Sequence, residues 1–421
     1  MGLGPSIKMT TLHHYNCPMT RQMLNDASID FAGILVDGVS ENYDDKVRTA
    51  EETGRMAAEL SANGAAVAID GWGNHHIDFT EVIRALGEHG IPSVGLSYIG
   101  RQGRLVCSNP YVGTIIDFNK ESSGYETCCV GQNNLTEDDA FKAVEILKHQ
   151  VKRMHHPARP RTETSDLPAE DLTRVYLPVR STERGARTAW SPDGRLVLRK
   201  DIGQELLPEE PRIKEVHVDI IMPNRQYIFV NSNLDIQPIA VKADGHLGNG
   251  CTLELQGIRA MLNGVEDGSG YQPANIGSSE GILSEHVYFD RAGTPAWNDR
   301  ILHIDFLFRE GEGRTAEGIE AAHRIADRIL QEIRDAMLQA ASDPEIARTL
   351  PKETFSYVPH HGKMRLLLVK ISSGLGNMYD TAIMPDQPGG ILGAQQMRLR
   401  GNSPVFLTPL QILDGAIHTL I

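Results

Sequence analysis

The chain has no apolar run of about 18 residues, so no helical membrane span is expected. Its opening stretch, "MGLGPSIKMTTLHHYNC", has neither the basic nor the apolar region of a signal peptide. A cytoplasmic protein is therefore expected. Cysteine is scarce: there are five in 421 residues, at positions 17, 107, 128, 129 and 251, with no CxxC pair. An odd number without a secretory signal argues against a disulfide framework, and the spacing against a ribbon or finger zinc site. Basic residues are outnumbered, 41 Lys and Arg against 55 Asp and Glu, for a formal net charge of -14. Nucleic acid is therefore excluded as the main partner, because phosphate binding needs a basic face. HExxH is missing, and the three-glycine dinucleotide fingerprint is missing from the first strand-helix turn. Neighbouring histidines rarely ligate one ion together, so the pairs His13-His14, His75-His76 and His360-His361 are not read as a metal site.

What is present is an alternation of short apolar runs and amphipathic stretches. "IDFAGILVDGV" reads as a buried parallel strand, and "DDKVRTAEETGRMAAELSANG" as a helix starting near Asp44 or Asp45 and stopping at Asn63-Gly64. "AAVAIDGWG", "DFTEVIRALGEHG" and "IPSVGLSYI" continue the pattern. "TEDDAFKAVEILKHQVKRM" closes it as a long helix capped by Thr136. This predicts an α/β fold, with a doubly wound, mainly parallel sheet in an N-terminal domain at residues 1–155. Residues 156–211 are rich in proline and charge and read as an irregular linker or surface excursion, with "SPDGRLVLRK" as one turn and one strand. Residues 212–421 read as an α+β domain: strands such as "KEVHVDIIMP" and "RILHIDFLFREG", a helix at "TAEGIEAAHRIADRILQEIRDAMLQAAS", a buried strand at "KMRLLLVKISSG" and glycine-rich loops. The last stretch, "TPLQILDGAIHTLI", reads as a helix with Thr408 as cap and Pro409 at its first position.

Four stretches could carry chemistry. "DGWGNHHIDF", Asp70 to Phe79, lies between a strand and a helix, at the carboxyl end of a parallel strand where ligands bind. There Asn74, His75, His76 and Asp78 could gather an amide, imidazoles and a carboxylate at a helix N-terminus. The plainer alternative is that Asn74 and Asp78 cap the helix and the histidines are exposed. "GSSEG" places Ser278, Ser279 and Glu280 on a glycine-flanked loop, to bind a carboxylate or serve as acid and base, or merely to turn the chain. "GILGAQQ" offers close backbone approach and the amides of Gln395 and Gln396, or a tight turn into a strand. Asp414 and His418 stand at i and i+4 on one helix face, as an acid–base unit or a surface pair.

Several of these stretches together resemble one family. "LDIQPIAVKADGHLGNG", "GSSEG", "AAHRIADRILQEIRDAM", "GGILGAQQ" and "SPVFLTPLQILDGAIHTL" resemble the pyruvoyl-precursor subunits of D-proline reductase. They are similar, more weakly, to those of glycine, sarcosine and betaine reductase. "DGWGNHHIDFTEVIRALGEHGIPSVGLSYIGRQGRLVCSNPYVGTIIDFNKESSGYE" resembles another stretch of the same subunit. The order is reversed, so the resemblance implies a circular permutant whose ends would be joined at the family's cleavage point, with Met1 expected beside Ile421. It implies reductive cleavage of a C–N or other C–heteroatom bond in a small amino acid or related amine. It also implies a thiol- or selenol-bearing partner subunit and an oligomer. The family's pyruvoyl-forming cysteine would fall on Gly2, so the pyruvoyl group is expected to be absent and no other cofactor is encoded. On this reading His76, Asp78, Glu280 and His418 are catalytic. Asn74, Ser278, Ser279, Gln395 and Asp414 bind substrate, with Asp414 orienting His418. The alternatives are a binding or assembly protein that kept the fold, or a histidine–carboxylate catalyst of different chemistry in the same pocket.

Overall fold

A computed structural model describes residues 17–40, 42–69, 74–97, 106–119, 129–132, 134–154, 171–268, 280–291, 293–313, 315–360, 362–372 and 403–414. The first part alternates as its periodicity predicts: α1 (Pro18–Asn25), β1 (Ile29–Gly38), α2 (Tyr43–Glu59), β2 (Gly64–Ile69), α3 (His75–Glu88), β3 (Ser93–Ser97), β4 (Thr114–Asp117) and α4 (Glu137–Arg153). Caps set the boundaries. Asn42, rather than Asp44 or Asp45, caps α2 by accepting from the Asp44 amide, and Thr136 closes a capping box with Asp139 on α4. Helix α3 begins at His75, so both histidines and Asp78 sit in its first turn.

Next come β5 (Leu172–Pro178), β6 (Ser181–Gly185), β7 (Ala189–Ser191), β8 (Arg195–Arg199), a 3-10 turn at Gln204–Glu209, β9 (Ile213–Ile221), β10 (Phe229–Val230), β11 (Ser232–Gln237), β12 (Ala240–Asp244), β13 (Gly250–Gln256), β14 (Ile258–Glu266), β15 (Gly281–Ile282), α5 (Leu283–His286) and β16 (Arg300–Phe308). Then follow α6 (Ala316–Ala341), α7 (Pro344–Thr349), β17 (Lys352–Phe355), β18 (Met364–Ser372), β19 (Val405–Leu407) and α8 (Pro409–Leu413).

The fold is α/β. Its largest sheet has the order β19-β1-β18-β2-β3-β4, parallel except for β19 at one edge. Alternation along the strands splits its apolar residues between two faces. Ala65, Val67 and Ile69 of β2 pack with α2 and α3, while Ala66 and Ala68 pack on the side of α1 and α4. Helices on both faces are what a strand buried at all ten positions of β1 requires. Helices α2 and α3 approach closely because Gly54 has no side chain: a Cβ there would meet Ala85 at 3.0 Å.

Two expectations need correction. Strand β18 lies at the centre of this sheet, between β1 and β2, and β19 flanks β1. The division at residue 155 therefore does not follow the sheets. Nor are residues 171–211 an irregular linker: they form β5 to β8 and the 3-10 turn. Leu177, Trp190, Leu196, Leu198, Ile202 and Leu206 join the same core as α6. Short strands interrupted by charge hide their pattern, because none of them buries more than three side chains. That core is shared by the sheets β12-β13-β5-β17, β11-β14-β16-β9 and β6-β8-β7. Among the described residues no helix is long and apolar enough to cross a membrane.

Candidate active site at the carboxyl end of the parallel sheet

Beyond β1 the chain turns through Val39 and Ser40 into α2, and α3 starts beyond the end of β2. The first turns of α2 and α3 therefore meet at the carboxyl end of the sheet. On α2, Lys46, Thr49, Ala50, Thr53 and Ala57 face inward at helical spacing, which carries the Lys46 ammonium into the sheet-facing side. There its Nζ lies 2.5 Å from Oδ2 of Asp78, with the side chains 1% and 3% exposed. The Ser40 amide donates to the other Asp78 oxygen at 3.4 Å. Burial pushes the Asp78 carboxyl up to about 6, against the opposing pull of Lys46.

A second carboxyl lies close by. Asp37, at the end of β1, is buried and accepts at Oδ2 from the Thr53 hydroxyl at 3.0 Å, while its Oδ1 has no partner. Burial pushes it up to about 8; the Thr53 bond opposes this and the charge of Asp78 adds to it. His76 is 1% exposed and its Nδ1 has no hydrogen-bond partner. Burial pushes it down to about 4, so it is neutral. Its ring lies 5.1 Å from that of Phe79. Cys107, half-buried, brings its Sγ within 2.8 Å of Thr80 Oγ1 and 3.6 Å of the His76 carbonyl oxygen, and burial raises its thiol. One ammonium, two carboxyls, a neutral imidazole and a thiol thus gather at two adjoining helix starts. Such a set can hold a charged small ligand and move protons.

Of the expected residues, His76 and Asp78 belong to this cluster. Asn74 is exposed at the N-cap of α3 and makes no side-chain cap bond. Asp78 does not cap either; it turns to Ser40 and Lys46. Glu280 precedes β15, in the separate two-stranded ribbon β10-β15. Asp414 is neither a surface group nor a neighbour of α3. Fully buried, it accepts from Lys242 Nζ at 2.9 Å, the Gly248 amide at 2.7 Å and Thr252 Oγ1 at 2.5 Å. These donors come from β12, β13 and the glycine loop between them. Ser278, Ser279, Gln395, His418 and Gly2 lie outside the described residues, as does the expected proximity of Met1 and Ile421.

Lys46, Asp37, Cys107 and Lys242 were not singled out from the sequence. The available signal for Lys46 was its place on the apolar face of α2, in step with Ala50, Thr53 and Ala57. The sequence also bears on the pyruvoyl group. Thr127-Cys128 is a Thr-Cys pair within the chain, so the expected absence of that group rests on Gly2 alone.

Residues 3–112 match the family of glycine/sarcosine/betaine reductase component B subunits. The chain is 31% identical over 250 residues to the D-proline reductase proprotein of Acetoanaerobium sticklandii, covering 59% of this chain and 39% of that protein. It is 33% identical over 102 residues to the betaine reductase complex component B subunit alpha of Peptoclostridium acidaminophilum, 23% of each. It thus spans well under half the length of either relative. No solved structure matches. The match over residues 3–112 takes in the whole cluster from Asp37 to Cys107, and with these relatives it makes the chain similar to the glycine/sarcosine/betaine reductase component B subunits and to the D-proline reductase proprotein.

Proposed function

We propose that this chain is a subunit of an amino-acid reductase and holds a small amino acid or related amine at the carboxyl end of its parallel sheet. The reaction is reductive cleavage of a C–N or other C–heteroatom bond. The observation that carries this reading is that Asp37, Lys46, His76, Asp78 and Cys107 all fall inside the family match at residues 3–112. Cleaving a C–N bond to C–H and N–H takes two electrons and two protons. A dithiol or thiol–selenol pair supplies both electrons by closing to a disulfide or selenenyl sulfide. Burial raises the thiols of Cys17, Cys107 and Cys251, so none of these three is an activated thiolate. The electrons therefore come from a partner subunit.

The chain's own residues supply charge and protons. Lys46 and the helix starts face a carboxylate, Asp78 faces an ammonium, and neutral His76 accepts or relays a proton. A pyruvoyl group does not fit Gly2. That group forms from a cysteine, and glycine has neither the sulfur nor the β-carbon it needs.

Three measurements test this reading. Intact mass should show one uncleaved chain; fragments parting between Thr127 and Cys128 would overturn the account of the missing carbonyl. Calorimetry should show binding of glycine, glycine betaine or D-proline, lost in Asp78→Asn; no binding by any of the three sinks the site assignment. With dithiothreitol as sole reductant the chain should form neither 5-aminovalerate from D-proline nor acetate from glycine. Turnover there would remove the need for a partner.

A further inference from the structure

The cluster buries two carboxyls beside one ammonium. A second uncompensated negative charge in such a place is expensive, and a single proton removes it. We propose that Asp37 is a positioning residue of this site: it carries the one proton the two carboxyls share, and so leaves Asp78 the single anion facing Lys46. This deepens the proposed function, on which its catalytic meaning rests.

The geometry says which carboxyl takes the proton. Asp78 has a cation at 2.5 Å and a backbone donor. Asp37 has the Thr53 hydroxyl and the Gly38 amide but no cation among the described residues, and its Oδ1 is buried without a side-chain partner. Among the described residues, the charged and titratable groups around Asp37 are few. The charges that act on it are both negative, Glu52 of α2 and Asp78 of α3; Lys46 of α2 faces Asp78, and neutral His76 of α3 and Cys107 of the loop beside it stand at the same helix start. Lys370 of the adjacent strand β18 belongs to the opposite face. Its neighbours Val369 and Ile371 pack with α2 and α3, while Leu368 packs on the side of α1 and α4. Among the described residues, Lys46 is the cation bonded to a carboxyl of this pair.

The consequence is a choice of ligand. With Asp37 neutral, Lys46 and Asp78 form a balanced dipole. Such a dipole matches a zwitterion, whose carboxylate meets Lys46 and whose ammonium meets Asp78. With Asp37 ionised the site is net negative and favours a simple cationic amine. Asp37 thus sets the selectivity of the site between amino acids and plain amines without touching the ligand.

Infrared titration of the protein tests the proton's location and needs no substrate. Wild-type protein at pH 7 should show a buried protonated-carboxyl band that disappears near about pH 8. Asp37→Asn should lack it. Asp78→Asn should keep it but move its midpoint down by about one unit or more, since a nearby negative charge is gone. Thr53→Val, which removes a donor to the ionised form, should move the midpoint up, and it serves if Asp37→Asn fails to fold. A band that survives Asp37→Asn, or a midpoint indifferent to both Asp78→Asn and Thr53→Val, overturns the proposal. Failure of glycine, glycine betaine and D-proline alike to bind would sink the proposed function and leave this band unchanged.

Discussion

The described residues contain two buried Lys–Asp pairs, and they are built differently. Lys242 and Asp414 are saturated. The ammonium donates to Asn249 O, Thr252 Oγ1 and Asp414, and Asp414 also accepts from Thr252 and the Gly248 amide. Every donor of the one group finds an acceptor, which is the signature of a clamp. It ties α8, whose Ile412 packs in the core beside α1 and α4, to β12 and β13 of another sheet. Lys46 and Asp78 are under-saturated by comparison. The carboxylate has one cation, one long backbone bond and a second carboxyl nearby, and burial pushes it up to about 6. A group held that far from its ordinary value beyond the carboxyl end of a parallel strand is a candidate for chemistry. The contrast separates a pair whose bonds are complete from one that, on the proposed function, meets a ligand.

Lys242→Met breaks that contrast hardest. It strands a fully buried carboxylate and should cost about 3–5 kcal/mol in urea unfolding. Adding Asp414→Leu should restore part of the loss; a single variant as stable as wild type would show that the clamp holds nothing.

Lys46→Met should cost less, about 1–3 kcal/mol at pH 7, because Asp78 can take up a proton. The loss should shrink as the pH is lowered from 7 to 5, while binding of amino acids disappears throughout. Equal losses for the two lysine variants, with no dependence on pH, would erase the distinction drawn between the pairs.

The smallest effect comes from Asp37→Asn, read as the slope of stability against pH. Asp37 has a raised folded value, so the stability it contributes is full below about pH 4 and is lost as pH rises through about 8. Asp78 acts in the same sense up to about 6. His76 acts oppositely: its stability is full above about 6.5 and is lost as pH falls toward about 4. Asp37→Asn should therefore flatten thermal stability between pH 6 and 8 and leave the acid limb as it was. An unchanged slope above pH 6 would contradict the buried neutral carboxyl.

Much of the first sheet was legible. Its strands are continuous apolar runs, its helices keep a 3.6-residue period, and Asn, Thr and Gly mark their ends. "KMRLLLVKISSG" was legible as a buried strand, but not its place between β1 and β2. Nothing in a strand's own residues names its neighbours. At the site, His76 and Asp78 were legible because glycines and polar residues after a strand are unusual enough to notice. Lys46 was not, because a lysine in a first helical turn looks like a solvated charge until the opposite wall is known. Asp414 misled for a related reason. Spacing of i and i+4 points along its own helix to His418, yet three donors from another sheet take up its oxygens.

Sequence alone determined the kind of each element, its caps, the acidic balance and the family resemblance, because these depend on neighbours a few residues apart. Tertiary structure decided which charges meet. Lys46 and Asp78 are 32 residues apart, and Lys242 and Asp414 are 172 apart. Only packing of helices on a particular strand order brings such groups within bonding distance and strips the water from around them. That loss of water is what turns ordinary lysines and aspartates into a clamp at one end and a poised site at the other.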